Sequence, residues 1–158
     1  MVSKQAVMAA LLGKLEAEHE ALIAKATEAA RAATHEEARP ENDKDTRAIE
    51  ASYLARGQAA RVEALGETLT RLRFLDLRPR TEVVEVGCLV ELVMDEREGL
   101  YFLVPMGGGE EIEVEGATVR TLTPAAPLGR ALLGRRVGDD FELRLGRTLR
   151  DVELLALS

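Results

Sequence analysis

The stretch His35-Glu36-Glu37-Ala38-Arg39-Pro40-Glu41-Asn42-Asp43-Lys44-Asp45 decides the fold of the first half of this chain. It contains no apolar residue larger than alanine, and Pro40 cannot continue a helix without breaking it. The proline also disfavours helical geometry at Arg39, the residue before it. A helix that reaches this stretch from either side is therefore expected to end here, with the chain turning near Pro40.

Residues with a heptad spacing lie on both sides of this stretch, and such a repeat is typical of helices that supercoil around one another. The two sets before it are Met8, Leu15, Leu22 and Ala29, and Leu12, His19, Ala26 and Ala33. The two sets after it are Ala48, Ala55, Val62 and Leu69, and Ala51, Gln58, Leu65 and Leu72. We expect two long helices folded back as an antiparallel hairpin, a coiled coil with its tip near 36–45. A coiled coil that dimerises is the alternative for the same spacing.

The composition changes after Arg78. Residues 1–78 hold 18 alanines and 3 of the 13 glycines, whereas residues 79–158 hold 5 alanines and 10 glycines. Alanine favours helix and glycine disfavours it, so the first part is predicted to be helical. The fold class is therefore α+β, with a helical hairpin over 1–78 and a small, mostly β domain over 79–158.

Short segments rich in valine and leucine, separated by turn residues, predict the strands of the second part. They are Glu82–Val86, Cys88–Met94, Leu100–Val104, Glu111–Glu115, Val119–Leu122, Phe141–Leu145 and Val152–Leu157. One short helix, Leu128–Leu133, is predicted between Pro127, which suits a first helical turn, and Gly134, which suits a helix end.

The composition also excludes several classes of protein and site. The net charge of −7 argues against a general nucleic-acid coat. A single cysteine, Cys88, excludes an internal disulfide, and we expect it to be an inert core residue. No run approaches the ~20 apolar residues that cross a bilayer, and the N-terminus lacks the apolar run of a signal peptide. We expect a cytoplasmic, monomeric protein with no membrane partner.

Two further features are assigned structural roles. His19 is expected to be a polar residue of the helix seam, near Gln58, and not a metal ligand. Gly107-Gly108-Gly109 lacks the Gly-Lys-Ser/Thr of a phosphate loop, so a turn is predicted there.

The stretch Pro127-Leu128-Gly129-Arg130-Ala131-Leu132-Leu133-Gly134-Arg135-Arg136-Val137-Gly138-Asp139 is similar to a segment of the Gre family of bacterial transcript-cleavage and elongation factors, of the GreA/GreB type. Glu41-Asn42 resembles the family's Glu-Asn pair at the hairpin tip. The resemblance extends along nearly the whole chain and implies an FKBP-like fold for 79–158. It implies an accessory factor, not an enzyme, that binds bacterial RNA polymerase and inserts its hairpin into the secondary channel.

The resemblance also implies which residues act. The tip acids Glu41, Asp43 and Asp45 would lie near the active-site Mg²⁺ and modulate cleavage of backtracked nascent RNA. That metal would be shared with the polymerase, with no metal held by the free protein. Docking on the polymerase is assigned to Leu128, Arg130, Leu132 and Arg135. A basic surface facing polymerase or RNA is assigned to Arg71, Arg73, Arg78 and Arg80.

The predicted tip departs from the family pattern, which reads Gly-Asp-Leu-x-Glu-Asn. With Glu41-Asn42 aligned to the family pair, Ala38 stands where the aspartate is expected. With the register counted back from Arg61-Val62, Lys44 stands where the glutamate is expected. Neither register keeps both acids, so support of cleavage and inhibition of the polymerase both stay open.

Structural alternatives apply to each assigned site. The tip acids would favour the start of the second helix by capping it, and the arginines would serve as helix C-terminal charges and salt-bridge partners. Leu128 and Leu132 would simply be core residues. Another class of function is a coiled-coil adaptor unrelated to transcription. A prolyl isomerase is disfavoured because its pocket needs aromatic residues, which make up 3% of this chain.

Overall fold

A computed structural model describes residues 1–37 and 44–158, without the side chains of residues 36, 37, 44 and 45. The chain forms two compact units. We call Gly13–Thr70 the helical unit and Met1–Leu12 together with Arg71–Ser158 the sheet unit. The units divide within the two long helices, whereas the sequence placed the boundary after residue 78. The first turns of the first helix and the end of the second thus belong with the sheet.

The helical unit is built from the central parts of two helices, α1 (Lys4–Glu37) and α2 (Lys44–Arg73). Within 13–35, the side chains that are not exposed lie at six of the predicted heptad positions: Leu15, His19, Leu22, Ala26, Ala29 and Ala33. The eight predicted positions of α2 are all buried or half-buried as well. The seam predicted from the sequence is therefore confirmed. Its residues change from leucine to the smaller alanine toward residue 33.

The two helices run in opposite directions. The His19 Nε2 atom of α1 lies 3.1 Å from the carbonyl oxygen of Val62 in α2. The six residues between the helices span at most about 25 Å when extended. Parallel helices in contact at these positions would place Glu37 and Lys44 about 54 Å apart at 1.5 Å per residue, so only the antiparallel arrangement fits. The predicted bend at Pro40 lies outside the described residues.

The sheet unit contains six strands: β1 (Leu89–Met94), β2 (Arg97–Leu103), β3 (Glu111–Val114), β4 (Ala117–Leu122), β5 (Asp140–Leu145) and β6 (Thr148–Leu157). A short helix, α3 (Pro127–Leu132), lies between β4 and β5. The strand order across the sheet is β3-β4-β2-β1-β6-β5. Only the β2–β4 pair is parallel, and the other neighbouring strands are antiparallel. The last strand of the chain is therefore an inner strand.

Three two-residue hairpins fix the register of the sheet. One joins β5 to β6, and in the turns of the other two both residues have a positive φ. Met94 pairs with Arg97, which leaves Asp95 and Glu96 as the turn, with φ of 48° and 67°. Val114 pairs with Ala117 across Glu115 and Gly116, whose φ values are also positive. Both turns have the left-handed backbone that matches the twist of the flanking strands.

One face of the sheet forms a core with α3. Val90, Leu92, Tyr101, Leu103, Val152 and Leu154 contribute to it from the strands, and Leu128 and Leu132 from the helix. Leu89 and Phe102 pair across β1 and β2 and are fully buried on the opposite face, because successive side chains alternate. Cys88 belongs to the core between the sheet and α3, and burial raises the pKa of its thiol. It is a buried core residue, as predicted.

The predicted strand over Glu82–Val86 is wrong. This segment is irregular, and its backbone pairs with the end of α3 instead of joining the sheet. The Val84 N–H donates to the Arg135 carbonyl at 2.8 Å, and the Gly134 N–H donates to the Val84 carbonyl at 2.9 Å. The valine-rich pattern therefore reflects the burial of Val84 and does not indicate a strand.

Lys4 ties the start of α1 to the segment before the sheet. Its side chain is buried, and Nζ donates to the carbonyls of Arg78 at 2.8 Å and Gly87 at 3.0 Å. Burial lowers the pKa of this amine. The first turn of α1 is thus part of the sheet unit, although nothing in the local sequence indicates it.

Candidate functional site

The segment that carries the family resemblance contains α3, which is held close to the loop before it. Pro127 occupies the first turn of the helix, where its missing N–H costs no hydrogen bond. Gly129 faces the Thr123 carbonyl so closely that a Cβ at this position would overlap the oxygen. Gly134, with a φ of 79°, then ends the helix as predicted. Glycine at 129 therefore sets how closely α3 approaches residues 123–126.

Leu128 and Leu132, which the resemblance assigned to docking, are buried in the core beneath α3. A helix needs an apolar face to pack on a sheet, and positions 128 and 132 are one turn apart on that face. The structure thus favours the core role left open for them. Their role in the fold is to hold α3 on the sheet.

The outer side of this segment carries Arg130, Leu133, Arg136 and Val137, which are all exposed. We call these four residues the α3 surface. Arg130 donates to the Ala125 carbonyl at 3.3 Å, which holds its side chain along the helix. The Arg136 N–H donates to the Asp139 carboxylate at 2.8 Å, which fixes the turn after the helix. Two cations beside two exposed apolar groups form a mixed surface suited to a protein partner.

Arg135 has a different environment from Arg130. Its Nε donates to the Ala131 carbonyl at 3.1 Å, and its guanidinium carbon lies 4.2 Å from the centre of the Phe141 ring. These contacts attach the end of α3 to β5. Arg135 is half-buried and serves mainly to position the α3 surface.

The predicted basic surface is partly neutralised within the sheet unit. Arg78 and Arg80 both contact the Asp76 carboxylate, at 2.7 and 3.2 Å, and Arg80 also contacts Glu85 at 2.9 Å. The hydrogen bonds from Arg78 lower the pKa of Asp76 to about 2. Arg71 and Arg73 lie in the last turn of α2, where cations favour the helix dipole. The role of salt-bridge partner, which was the alternative to a surface facing polymerase or RNA, thus accounts well for Arg78 and Arg80.

One exposed side chain near these arginines was not predicted. Phe74 follows the last residue of α2 and is 86% exposed. The heptad pattern contained the signal, because Phe74 lies two residues after the seam position Leu72 and so faces away from the seam. At this exposure the ring has no packing role among the residues that the structure describes.

The predicted tip acids are beyond what the structure shows. Glu41 and Asp43 lie outside the described residues. The backbone of Asp45 lies in the first turn of α2, but its side chain is outside the description. Carboxylates are the donors that Mg²⁺ prefers, so the residue types at the tip fit the predicted role.

The described residues, 1–37 and 44–158, provide neither a clustered metal site nor a membrane-spanning helix. These residues include no group of three or more histidine, cysteine or acidic side chains placed to hold a metal ion. None of the helices within them is long and apolar enough to cross a membrane.

The comparison with protein families identifies the second part of the chain. A family model described as "Transcription elongation factor, GreA/GreB, C-term" matches residues 79–158. The matched residues include α3, the α3 surface and all six strands.

Curated relatives extend the similarity beyond these residues. The transcription inhibitor protein Gfh1 from two strains of Thermus thermophilus is 30% identical over 117 residues, which is 73% of each chain. A crystal structure of Thermus thermophilus Gfh1 is 23% identical and covers 93% of this chain and 94% of its own, with a TM-score of 0.39. A GreA/GreB factor from Nitrosomonas europaea is 23% identical and covers 61% and 78%, with a TM-score of 0.36.

Proposed function

The chain belongs to the GreA/GreB family of transcription elongation factors, and we propose on this basis that it regulates bacterial RNA polymerase by inserting its helical hairpin into the secondary channel. The observation that carries the proposal is the family match over 79–158, the residues that present the α3 surface. In this proposal the sheet unit docks on the polymerase and the helices place Glu41, Asp43 and Asp45 near the active centre.

The α3 surface is the best candidate for docking. Arg130 and Arg136 offer charge-assisted hydrogen bonds to carboxylates of a partner. Leu133 and Val137 offer apolar area beside them. Arg135 supports this surface from below through Phe141. The residues Leu128 and Leu132 keep α3 in place and do not themselves reach the partner.

Inhibition of RNA synthesis is the favoured direction of the regulation. The curated relatives at 30% identity are named transcription inhibitors. In addition, the sequence keeps only one of the two expected tip acids in either register. Acids near the catalytic Mg²⁺ without the family arrangement would disturb the metal site without completing it for cleavage. Support of transcript cleavage is the second candidate, favoured by the three carboxylates that the tip still carries.

The chemistry in either case belongs to the polymerase. This chain would supply carboxylate oxygens from the hairpin tip, and an Mg²⁺ ion held by the polymerase would supply Lewis-acid chemistry there. We therefore propose an accessory factor that is not an enzyme, and that acts as a monomer in the cytoplasm beside the nascent RNA.

Two assays on the same polymerase test this function. The first measures RNA synthesis and the second measures cleavage in a backtracked complex, each with the wild type and with Glu41→Ala/Asp43→Ala/Asp45→Ala. We expect the wild type to slow synthesis without stimulating cleavage, and the triple variant to bind the polymerase but to inhibit it less. Stimulated cleavage by the wild type would establish the second candidate. If the two proteins behave identically in both assays, the tip assignment is wrong.

A further inference from the structure

A polar side chain in the seam of the helical unit bonds to the backbone of the opposite helix. His19 of α1 is half-buried, and its Nε2 atom lies 3.1 Å from the carbonyl oxygen of Val62 in α2. A carbonyl oxygen only accepts hydrogen bonds, so Nε2 carries the proton and donates it. Within the helix the same carbonyl is placed to accept the N–H of residue 66. Its second lone pair is the one that His19 uses.

Gly66 opens this carbonyl to the imidazole. Glycine is a poor helix former, yet Gly66 lies inside α2, a helix of 30 residues. A Cβ at 66 would lie 3.4 Å from Nε2 and 3.9 Å from Cε1 of His19, so the ring occupies the space of a side chain there. A helical side chain covers the turn before its own residue, and a longer one at 66 would cover the Val62 carbonyl. In contrast, no described neighbour lies within 4 Å of a Cβ added at Gly13 or Gly57.

The contact lies where the seam changes its composition. Beyond Leu22 the seam positions are alanines, at 26, 29 and 33 in α1 and at 48, 51 and 55 in α2. An alanine knob is a single methyl group, so it resists sliding and rotation of the helices less than a leucine in its hole does. A hydrogen bond is directional, and a slide of about 1.5 Å, the rise of one residue, would take this one outside the usual geometry. The His19 contact therefore defines the register next to the part of the seam where packing defines it weakly.

We propose that the contact between His19 and the Val62 carbonyl, which Gly66 makes possible, fixes the register of α1 on α2 and so positions the helix ends for the effect on RNA polymerase. This inference rests on the proposed function, because a regulator that acts through a hairpin needs one defined arrangement of its two helices. A single polar residue in a coiled-coil seam specifies register at a cost in stability. His19 is thus a positioning residue. A role as a metal ligand lacks support, because the described residues place no group of three or more candidate ligands together.

Four variants of the full-length chain separate positioning from stability. Leucine in His19→Leu suits the seam but cannot donate to the carbonyl, so circular dichroism should show a melting temperature equal to or above that of the wild type. Glutamine in His19→Gln carries its amide nitrogen as many bonds from Cα as Nε2 of histidine, so it should restore the contact. Gly66→Leu fills the space of the imidazole and should act like His19→Leu. Gly57→Leu is its matched control, at an exposed position of the same helix.

The register is measured as the distance between spin labels on cysteines that replace Ala30 and Leu54, which are both exposed; the native cysteine is buried and stays unlabelled. We expect a narrow distribution for the wild type, His19→Gln and Gly57→Leu. His19→Leu and Gly66→Leu should broaden it or displace its mean by about 1.5 Å or more, the rise of one helical residue. These two variants should bind RNA polymerase as the wild type does but lose most of its effect on RNA synthesis, whereas His19→Gln should keep that effect.

The two readouts separate this inference from the proposed function. Unchanged distances in His19→Leu would overturn the register role and leave the proposed function intact. Changed distances with an unchanged effect on RNA synthesis would overturn the positioning role, and so would an equal loss of effect in His19→Gln and His19→Leu. If the wild type has no effect on the polymerase, the proposed function fails and the positioning role fails with it. If His19→Leu loses helix content, the comparison of Gly66→Leu with Gly57→Leu decides by the same two readouts.

Discussion

At the scale of single residues, Glu96 is held in an unfavourable backbone conformation. It is the second residue of the β1–β2 turn, with a φ of 67°, where a residue with a Cβ is strained and glycine is not. The turn is kept because Asp95 pairs with Arg150 and accepts the N–H of Asp151 at 3.1 Å. Asp95 thereby attaches the hairpin end to β6, and these hydrogen bonds lower its pKa.

Replacing Glu96 with glycine should therefore stabilise the protein. The strain relieved is about 1–2 kcal/mol, and the added freedom of the unfolded chain offsets about 0.5–1 kcal/mol of it. We expect urea unfolding to show a gain of about 0.5–1 kcal/mol. Glu98→Gly is the control, because Glu98 lies within β2, where glycine should destabilise. A destabilised Glu96→Gly variant would contradict the assigned turn.

Asp76 should make stability depend on acid pH. The pKa of its carboxyl is about 2 in the folded protein and about 3.9 in an unfolded chain. A lowered pKa stabilises the fold above the unfolded value, and this contribution is lost as the pH falls from about 4 to 2. The difference in unfolding free energy between wild type and Asp76→Asn should therefore shrink over that range. Because the pair with Arg78 is exposed, high salt should shrink it too; a difference independent of pH would refute the assignment.

At the scale of elements, α3 depends on a glycine for its position. A Cβ at 129 would overlap the Thr123 carbonyl, so Gly129→Ala should push the helix outward and cost about 1–3 kcal/mol. Because the α3 surface moves with the helix, binding to RNA polymerase should weaken as well. The control is Gly13→Ala, in an exposed part of α1 with no atom within 4 Å of the new Cβ, which should stabilise by about 0.5–1 kcal/mol. Equal effects of the two changes would contradict this account of α3.

The elements differ in how far the sequence predicted them. The seam positions of α1 and α2 follow from a local repeat, and β3 follows from the strict alternation around Ile112. The segment 82–86 was predicted wrongly because its hydrogen-bond partners, Gly134 and Arg135, lie about 50 residues away. The burial of Lys4 depends in the same way on carbonyls at 78 and 87. Of the candidate site, Arg130 was found by resemblance, whereas Leu133 and Val137 required knowledge of exposure. Phe74 was missed although the heptad pattern contained its signal.

At the scale of the whole molecule, the buried apolar area that stabilises the chain differs between the two units. In the helical unit it also changes along the helices. In the helical unit the seam narrows from Leu15 and Leu69, both buried, to Ala29 and Ala33. Less apolar area is removed from water at the alanine end, so each turn there contributes less stability. The sheet unit instead has core residues on both faces of its central strands.

This gradient should be visible in amide hydrogen exchange. We expect the backbone amides of 24–35 and 46–58 to exchange faster than those of 15–22 and 62–69, and the central strands β1 and β6 to exchange most slowly. Mass spectrometry of peptides after timed exchange measures this directly. Uniform protection along α1 would show that the alanine seam packs as well as the leucine seam.

The place of β6 in the sheet has a consequence for how the protein is made. Translation proceeds from β1 toward β6, yet β6 is the strand that joins β1 to β5. While a ribosome still holds residues 148–157, one edge of β1 is open and β5 has no neighbour to pair with. The parts of the two helices in the helical unit, in contrast, need only one another and a short connection. The helices should thus form during synthesis, whereas the sheet closes only after the last strand has emerged, and a nascent chain that stalls late would expose its core.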